Sequence, residues 1–248
     1  MQRLILHLSL VLLLASPVWA TNTLGHLGAL NATGTSTTPT SSGSSDETGY
    51  VAGDGFVGFV IWSGTTATLS NCTLTGESAP TLIGSPKTGS NRSIQFAYLK
   101  SLAGSGTKTF ACTLSSSVSW HMGWLTLHGQ DTTSFYDSAE CGAAGSSASA
   151  SCSMTTNSAN TTIVQAAADG GSSDLTPTAP ATVVDIALIN FINFEEGAYT
   201  LDTGAAGSKT VTETLTSANW IIKAAAFKTS AGGGATCHKT LALLGVGC

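Results

Sequence analysis

The stretch Lys108-Thr109-Phe110-Ala111-Cys112-Thr113-Leu114 (KTFACTL, residues 108–114) decides the fold. Phe110, Cys112 and Leu114 alternate with Thr109, Ala111 and Thr113, the period of two that a strand with one buried face requires. Residues 93–99 repeat it, with Ile94, Phe96 and Tyr98 set against Ser93, Gln95 and Ala97. Two other stretches, 55–62 (GFVGFVIW) and 120–128 (WHMGWLTLH), are apolar on both alternations, as strands covered on both faces should be.

Working outward, 66–75, 152–156, 161–168, 183–194, 197–201, 209–215 and 219–228 also read as strands. The alanines at 166–168 would suit a helix, but Thr-Thr-Ile-Val before them and Gly-Gly after them favour extended chain. Nowhere do apolar residues recur at helical spacing over twelve positions between caps. Short strands separated by Gly, Ser and Asn turns make the chain all-β, a sandwich or a barrel.

The flanks carry different signals. Arg3 precedes an apolar run over 4–14 broken only by His7 and Ser9, and Pro17-Val18-Trp19-Ala20 follows. This reads as a signal peptide over 1–20, removed after Ala20, since the run is shorter than the ~20 residues a membrane span needs. Residues 21–52, rich in Thr, Ser and Gly, read as a flexible leader with one short strand at its start. The sandwich domain is expected over 53–230. In 231–248, Ala231-Gly232-Gly233-Gly234 links to a short apolar strand at 239–246 (KTLALLGV) between Cys237 and Cys248. That strand either completes the domain or adds itself to a partner's sheet, self-association included.

Composition narrows the function classes. Charged residues are 9% and hydrophobic ones 42%, so the chain can bury a core but draws its solubility from hydroxyl and amide groups. Acidic residues outnumber basic ones 14 to 9, which speaks against a nucleic-acid footprint or a basic membrane patch. An even six cysteines in an exported chain read as disulfides, and no C-x-x-C pair suggests zinc or redox chemistry. Of the 15 pairings that six cysteines allow, the preferred set is Cys141–Cys152, Cys72–Cys112 and Cys237–Cys248. The Gly/Ala/Ser segment between Cys141 and Cys152 reads as a hairpin loop, whose closure is worth roughly 3 kcal/mol.

The order of 55–62 (GFVGFVIW), an IQFAYLK strand, a GTKTFACTLS strand, a Gly129-Gln130-Asp131-Thr132-Thr133 turn and a final Trp strand ending Ala-Ala-Phe-Lys resembles a recurrent domain of unknown function in secreted bacterial and phage-associated proteins. The resemblance spans roughly 53–228. It implies an antiparallel β-sandwich, jelly-roll-like or concanavalin-like, with no catalytic residues to carry over. The six cysteines depart from that pattern.

Residues able to do chemistry are few. His121 and His128 are an odd number of positions apart and would project to opposite faces of one strand, so they do not make a metal pair. No G-x-S-x-G elbow positions a nucleophile. A glycosidase would need two acids about 5–10 Å apart, and the candidates are Asp131, Asp137, Glu140, Asp185 and Glu195. Asp131, Asp137 and Glu140 could also offer oxygens to calcium, though no EF-type loop occurs and solvated turn residues are the simpler reading. Phe135 and Tyr136, beside Asp137 in an expected loop, would either stack a sugar or plug the core beneath. The tryptophans at 62, 120, 124 and 220 fall within strand patterns, as core residues do. The expectation is a secreted, non-catalytic structural or adhesive protein without cofactor or metal, contacting protein or glycan surfaces. The alternative is a carbohydrate-binding module or glycan hydrolase on the same scaffold.

Overall fold

The computed structural model describes residues 23–27, 32–43, 51–170, 175–178, 185–191, 195–201 and 203–230. These form fifteen strands and no helix. In chain order they are β1 (Thr23–Leu27), β2 (Ala32–Ser36), β3 (Thr40–Gly43), β4 (Gly55–Ser63), β5 (Leu69–Leu74), β6 (Thr81–Gly89), β7 (Arg92–Leu99), β8 (Lys108–Leu114), β9 (Val118–His128), β10 (Tyr136–Thr156), β11 (Thr162–Asp169), β12 (Thr176–Thr178), β13 (Asp185–Phe191), β14 (Glu195–Leu201) and β15 (Gly207–Phe227).

All pairings are antiparallel. One sheet runs β1-β9-β4-β7-β6, with β2 also on β9; another runs β3-β8-β5; a third runs β10-β15-β11-β14-β13, with β12 also on β15. The first sheet is central. One of its faces, carrying Phe56, Val60, Trp62 and Trp124, packs on Phe110, Leu74 and the Cys72–Cys112 disulfide of the β3-β8-β5 sheet. Its other face, carrying Val57, Phe59, Ile61 and Phe96, packs on Val164, Ala166, Ile221 and Phe227 of the third sheet. Both alternations of 55–62 are therefore buried, as that apolar stretch demanded.

The third sheet is doubled over. Cys141 and Cys152 lie in the same strand, β10, and an extended run of that length would separate them by about 36 Å. Their Cα atoms are 5.7 Å apart and the sulfurs are bonded. The ladder of β10 on β15 shifts register between Ser147 and Ser149, and there both strands turn back together. The folded-over leaf buries Ala150, Cys152, Met154, Val211 and Leu215 against Ile163, Ile222 and Ala224. The expected hairpin loop between Cys141 and Cys152 is thus strand throughout. Its small residues let two layers meet at a corner rather than turn a loop.

The fold is built twice. β1 and β2 together correspond to the first half of β10 and β3 to its second half, β4 to β11, β5 to β12, β6 to β13, β7 to β14, and β8 and β9 to the two halves of β15; on that correspondence the strand pairings of the first set recur in the second. In each unit the chain crosses repeatedly between two layers, with one hairpin (β6-β7 and β13-β14) inside a sheet, the habit of a jelly roll. The chain agrees: Gly106, Lys108, Thr109, Thr113, Leu114 and Ser116 reappear as Gly207, Lys209, Thr210, Thr214, Leu215 and Ser217, with Trp120 and Trp220 following. Details agree too. The Trp120 indole N–H donates to Ser36 Oγ at 3.0 Å, and that of Trp220 to Ser147 Oγ at 2.9 Å. Beneath the two rings lie Gly34 and Gly145, where a Cβ would come within 2.7 and 2.6 Å of the indole.

The expectations change accordingly. Part of the supposed leader over 21–52 supplies β1, β2 and β3, whose Thr/Ser alternation is a strand with a hydroxylated outer face. The sheets built from 53–230 are completed by those strands, since β1 and β2 pair with β9 and β3 with β8. Strand β6 lacks a period of two in the sequence because Pro86 and a bulge between Ile83 and Lys87 break its pattern. Cys237, Cys248 and the strand expected at 239–246 lie outside the described residues.

Candidate functional site

The loop weighed as a possible ligand site keeps 132–134 exposed and turns Phe135 and Asp137 inward. Asp131 accepts from the backbone N–H groups of Thr133 and Ser134 at 2.8 and 2.9 Å, a turn capping itself. Phe135 is 1% exposed and stacks on Phe227 with ring centroids 4.9 Å apart. Gly55 is what admits it, since a Cβ there would strike the Phe135 ring. Tyr136 opens β10 and packs beside Tyr98 and Phe227. Its hydroxyl is pushed up to about 12, by burial first and then by the charges of Glu140 and its neighbours. Asp137 is buried and accepts from the Asn157 backbone N–H at 2.6 Å. Of the two readings offered for Phe135, the structure selects the plug.

Glu140 lies 3.2 Å from the ammonium of Lys223, which is 3% exposed. That ammonium donates to the carbonyls of Ile83 (2.8 Å) and Ser85 (2.7 Å) and to Gln95 Oε1 (2.9 Å). A buried charge needs such a set of partners. Burial lowers the pKa of Lys223, and the Glu140 carboxylate works against that shift. The arrangement fastens the β6 bulge to β15 and hence one unit to the other. Beside it opens a cleft of about 390 Å³ lined by Ser85, Pro86, Lys87, Glu140, Gly142 and Lys223. Asp185 lies in β13 and Glu195 in β14.

Other ionisable side chains also brace the scaffold. Asp54 contacts His128 Nδ1 at 2.6 Å and accepts from the Val51 backbone N–H at 2.9 Å. Lys108 pairs with Glu77, whose other oxygen accepts from the Ala103 N–H at 2.7 Å. Among the described residues no three His, Cys, Asp or Glu side chains form a group that could hold a metal, and no helix is long and apolar enough to cross a membrane. The four strand tryptophans named from the sequence are all buried.

What faces outward in quantity is hydroxyl. On the folded-over leaf, β10 presents Ser149, Ser151, Ser153 and Thr155, β15 presents Ser208, Thr210, Thr212 and Thr214, and β12 presents Thr176 and Thr178. Register aligns them in ranks: Ser149-Thr214-Thr176, Ser151-Thr212-Thr178, Ser153-Thr210 and Thr155-Ser208. Strand geometry spaces the ranks about 6.7 Å apart and their members about 4.8 Å apart. No charged side chain stands in the ranks. The Ser153 and Thr210 hydroxyls are hydrogen-bonded at 2.8 Å, and Thr214 Oγ1 donates to the Thr176 carbonyl at 3.2 Å. The first unit has a smaller counterpart on β3, β8 and β5, with Ser42 and Thr109 bonded at 2.9 Å, interrupted by Ala111 and Asn71. The alternating threonines at 208–216 were the sequence signal for this face.

Neither a protein-family model, nor a curated protein, nor a solved structure matches this chain.

Proposed function

We propose that this is an exported, non-catalytic structural protein that acts by surface contact through its hydroxylated outer faces. The rank-ordered Ser/Thr face on β10, β15 and β12 carries this reading, because among the described residues it is an extended, chemically uniform surface assembled from three strands. Support comes from how the polar side chains are used: Asp54 holds His128 of β9, Glu77 holds Lys108 of β8, Asp137 holds the Asn157 N–H just past β10, and Glu140 and Lys223 hold each other and Gln95 of β7. The two disulfides fit an oxidising compartment, in keeping with the signal peptide read over 1–20.

The test pairs retention with turnover. Purified protein is incubated with microcrystalline cellulose, with silica and with a panel of soluble polysaccharides. The expected result is retention on hydroxylated solids, reduced by Thr212→Lys at an unchanged melting temperature, with no sugar released. Release of reducing ends that is lost on Glu140→Gln would make the protein a hydrolase and overturn the proposal.

A further inference from the structure

The ranked hydroxyl face has an unusual combination of properties. It is uncharged, it repeats in two directions, and its central members are threonines. A threonine side chain is stiff at χ1, so each rank holds a methyl and a hydroxyl in a narrow range of positions before anything binds. The Ser153–Thr210 bond and the Thr214 bond to the Thr176 carbonyl fix two further rotors. The same register on the first unit, with Ser42 bonded to Thr109, repeats the device.

The kind of partner follows from what the face contains and lacks. A protein partner is held by a few buried aromatic or arginine anchors. The ranks contain neither, and Val51, the one exposed large hydrophobic side chain among the described residues, lies outside them. Flat sugar stacking needs an exposed aromatic ring, whereas Trp62, Trp120, Trp124, Trp220 and Phe135 are buried. A polyion needs charge, which the ranks also lack. What remains complementary is an uncharged lattice of donors and acceptors with its own two-dimensional repeat. Each hydroxyl can both donate and accept, while the methyl groups between them exclude loosely held water. Charge matching points the same way, since an ammonium or carboxylate would hold a hydration shell that breaks such a lattice.

We infer that the Ser/Thr face of β10, β15 and β12 binds crystalline water, taking up ordered waters between its ranks and so adhering to an ice surface. The inference rests on the surface-contact reading above and names its partner.

The experiment uses the full secreted chain with its disulfides intact. A dilute solution is frozen slowly onto a cold probe, and protein in the ice is compared with protein in the remaining liquid; grain growth in frozen sucrose solution gives a second readout. Wild type should enter the ice and halt grain growth. Thr212→Lys, which puts a charge in the middle rank, should be excluded from ice like serum albumin. Thr88→Lys, on an exposed threonine of β6 outside the face, should behave as wild type, and circular-dichroism melting should show all three folded alike. Exclusion of wild type from ice together with retention on silica or cellulose overturns this inference and leaves surface contact standing; loss of both overturns both. Ice entry unaffected by Thr212→Lys would place the binding surface elsewhere and overturn the assignment to this face.

Discussion

Glu213 should make this protein less stable as pH rises through neutrality. Its side chain is fully buried in the folded-over leaf, and its only described hydrogen bond comes from the Gln165 amide to Oε1, with Oε2 unpartnered. Burial raises its pKa to about 8, against which the Gln165 bond works only partly. A folded-state pKa above the unfolded value means that the native protein holds a proton the unfolded chain has released. The sign is therefore fixed: the contribution is fully present below the ordinary glutamate range of roughly 4.5 and is lost as pH climbs to about 8. At ~1.4 kcal/mol per pKa unit, the total swing is on the order of 5 kcal/mol. Glu213→Gln keeps the size and can still accept from Gln165, yet cannot ionise. Urea unfolding followed by tryptophan fluorescence at pH 5, 7 and 9 should give similar stability for both proteins at pH 5 and a variant several kcal/mol more stable at pH 9. Parallel pH profiles would show that Glu213 is solvated or paired in the native state, and the reasoning from burial would fail.

Three other outcomes follow from the same packing. Replacing Cys141 and Cys152 by serine should cost roughly 2–4 kcal/mol, read as a lower urea midpoint, with thiol labelling of the unreduced parent finding neither cysteine free. Trp124→Ala, at a fully buried position between the central sheet and the β3-β8-β5 sheet, should cost roughly 3–5 kcal/mol; an unchanged melting temperature would put the ring at the surface. Mass spectrometry of secreted material should find Thr21 at the N-terminus, and a mass starting at Met1 would refute the cleavage site.

Much of the fold was legible because strand alternation is local. Lys108–Leu114 and 93–99 announce their buried faces in single side chains, and 55–62 announces a strand covered twice. Which layer covers which face is not local, and the residues that decide it are quiet ones. β10 between Cys141 and Cys152 is Gly, Ala and Ser, which looks like a loop because nothing in it is large, yet smallness is what a two-layer corner requires. The duplication was present as Gly106-x-Lys108-Thr109 and Gly207-x-Lys209-Thr210, and a search for self-similarity would have found it. The partners of Lys223 could not be read at all, since two of them are main-chain carbonyls presented by a bulge in β6. The ranked face was half visible: the alternating threonines of β15 are plain, but their alignment with Ser151 and Thr178 depends on pairing across distant segments.

The back-to-back stacking of two equivalent sandwiches carries a historical implication. A single sandwich of this kind would expose Phe59, Ile61 and Phe96, and its simplest refuge is a second copy of itself across a two-fold axis. Such a dimer must present the same side chain from both sides at equivalent positions. Joined in one polypeptide, the halves are released from that identity. Where the first half has Phe59 the second has Ala166, and where the first has Phe96 the second has Gly197, whose missing side chain leaves room for the Phe59 ring. Tandem fusion thus turns a self-matched contact into a bulky partner and a yielding one, a lock that neither half could make with its own twin.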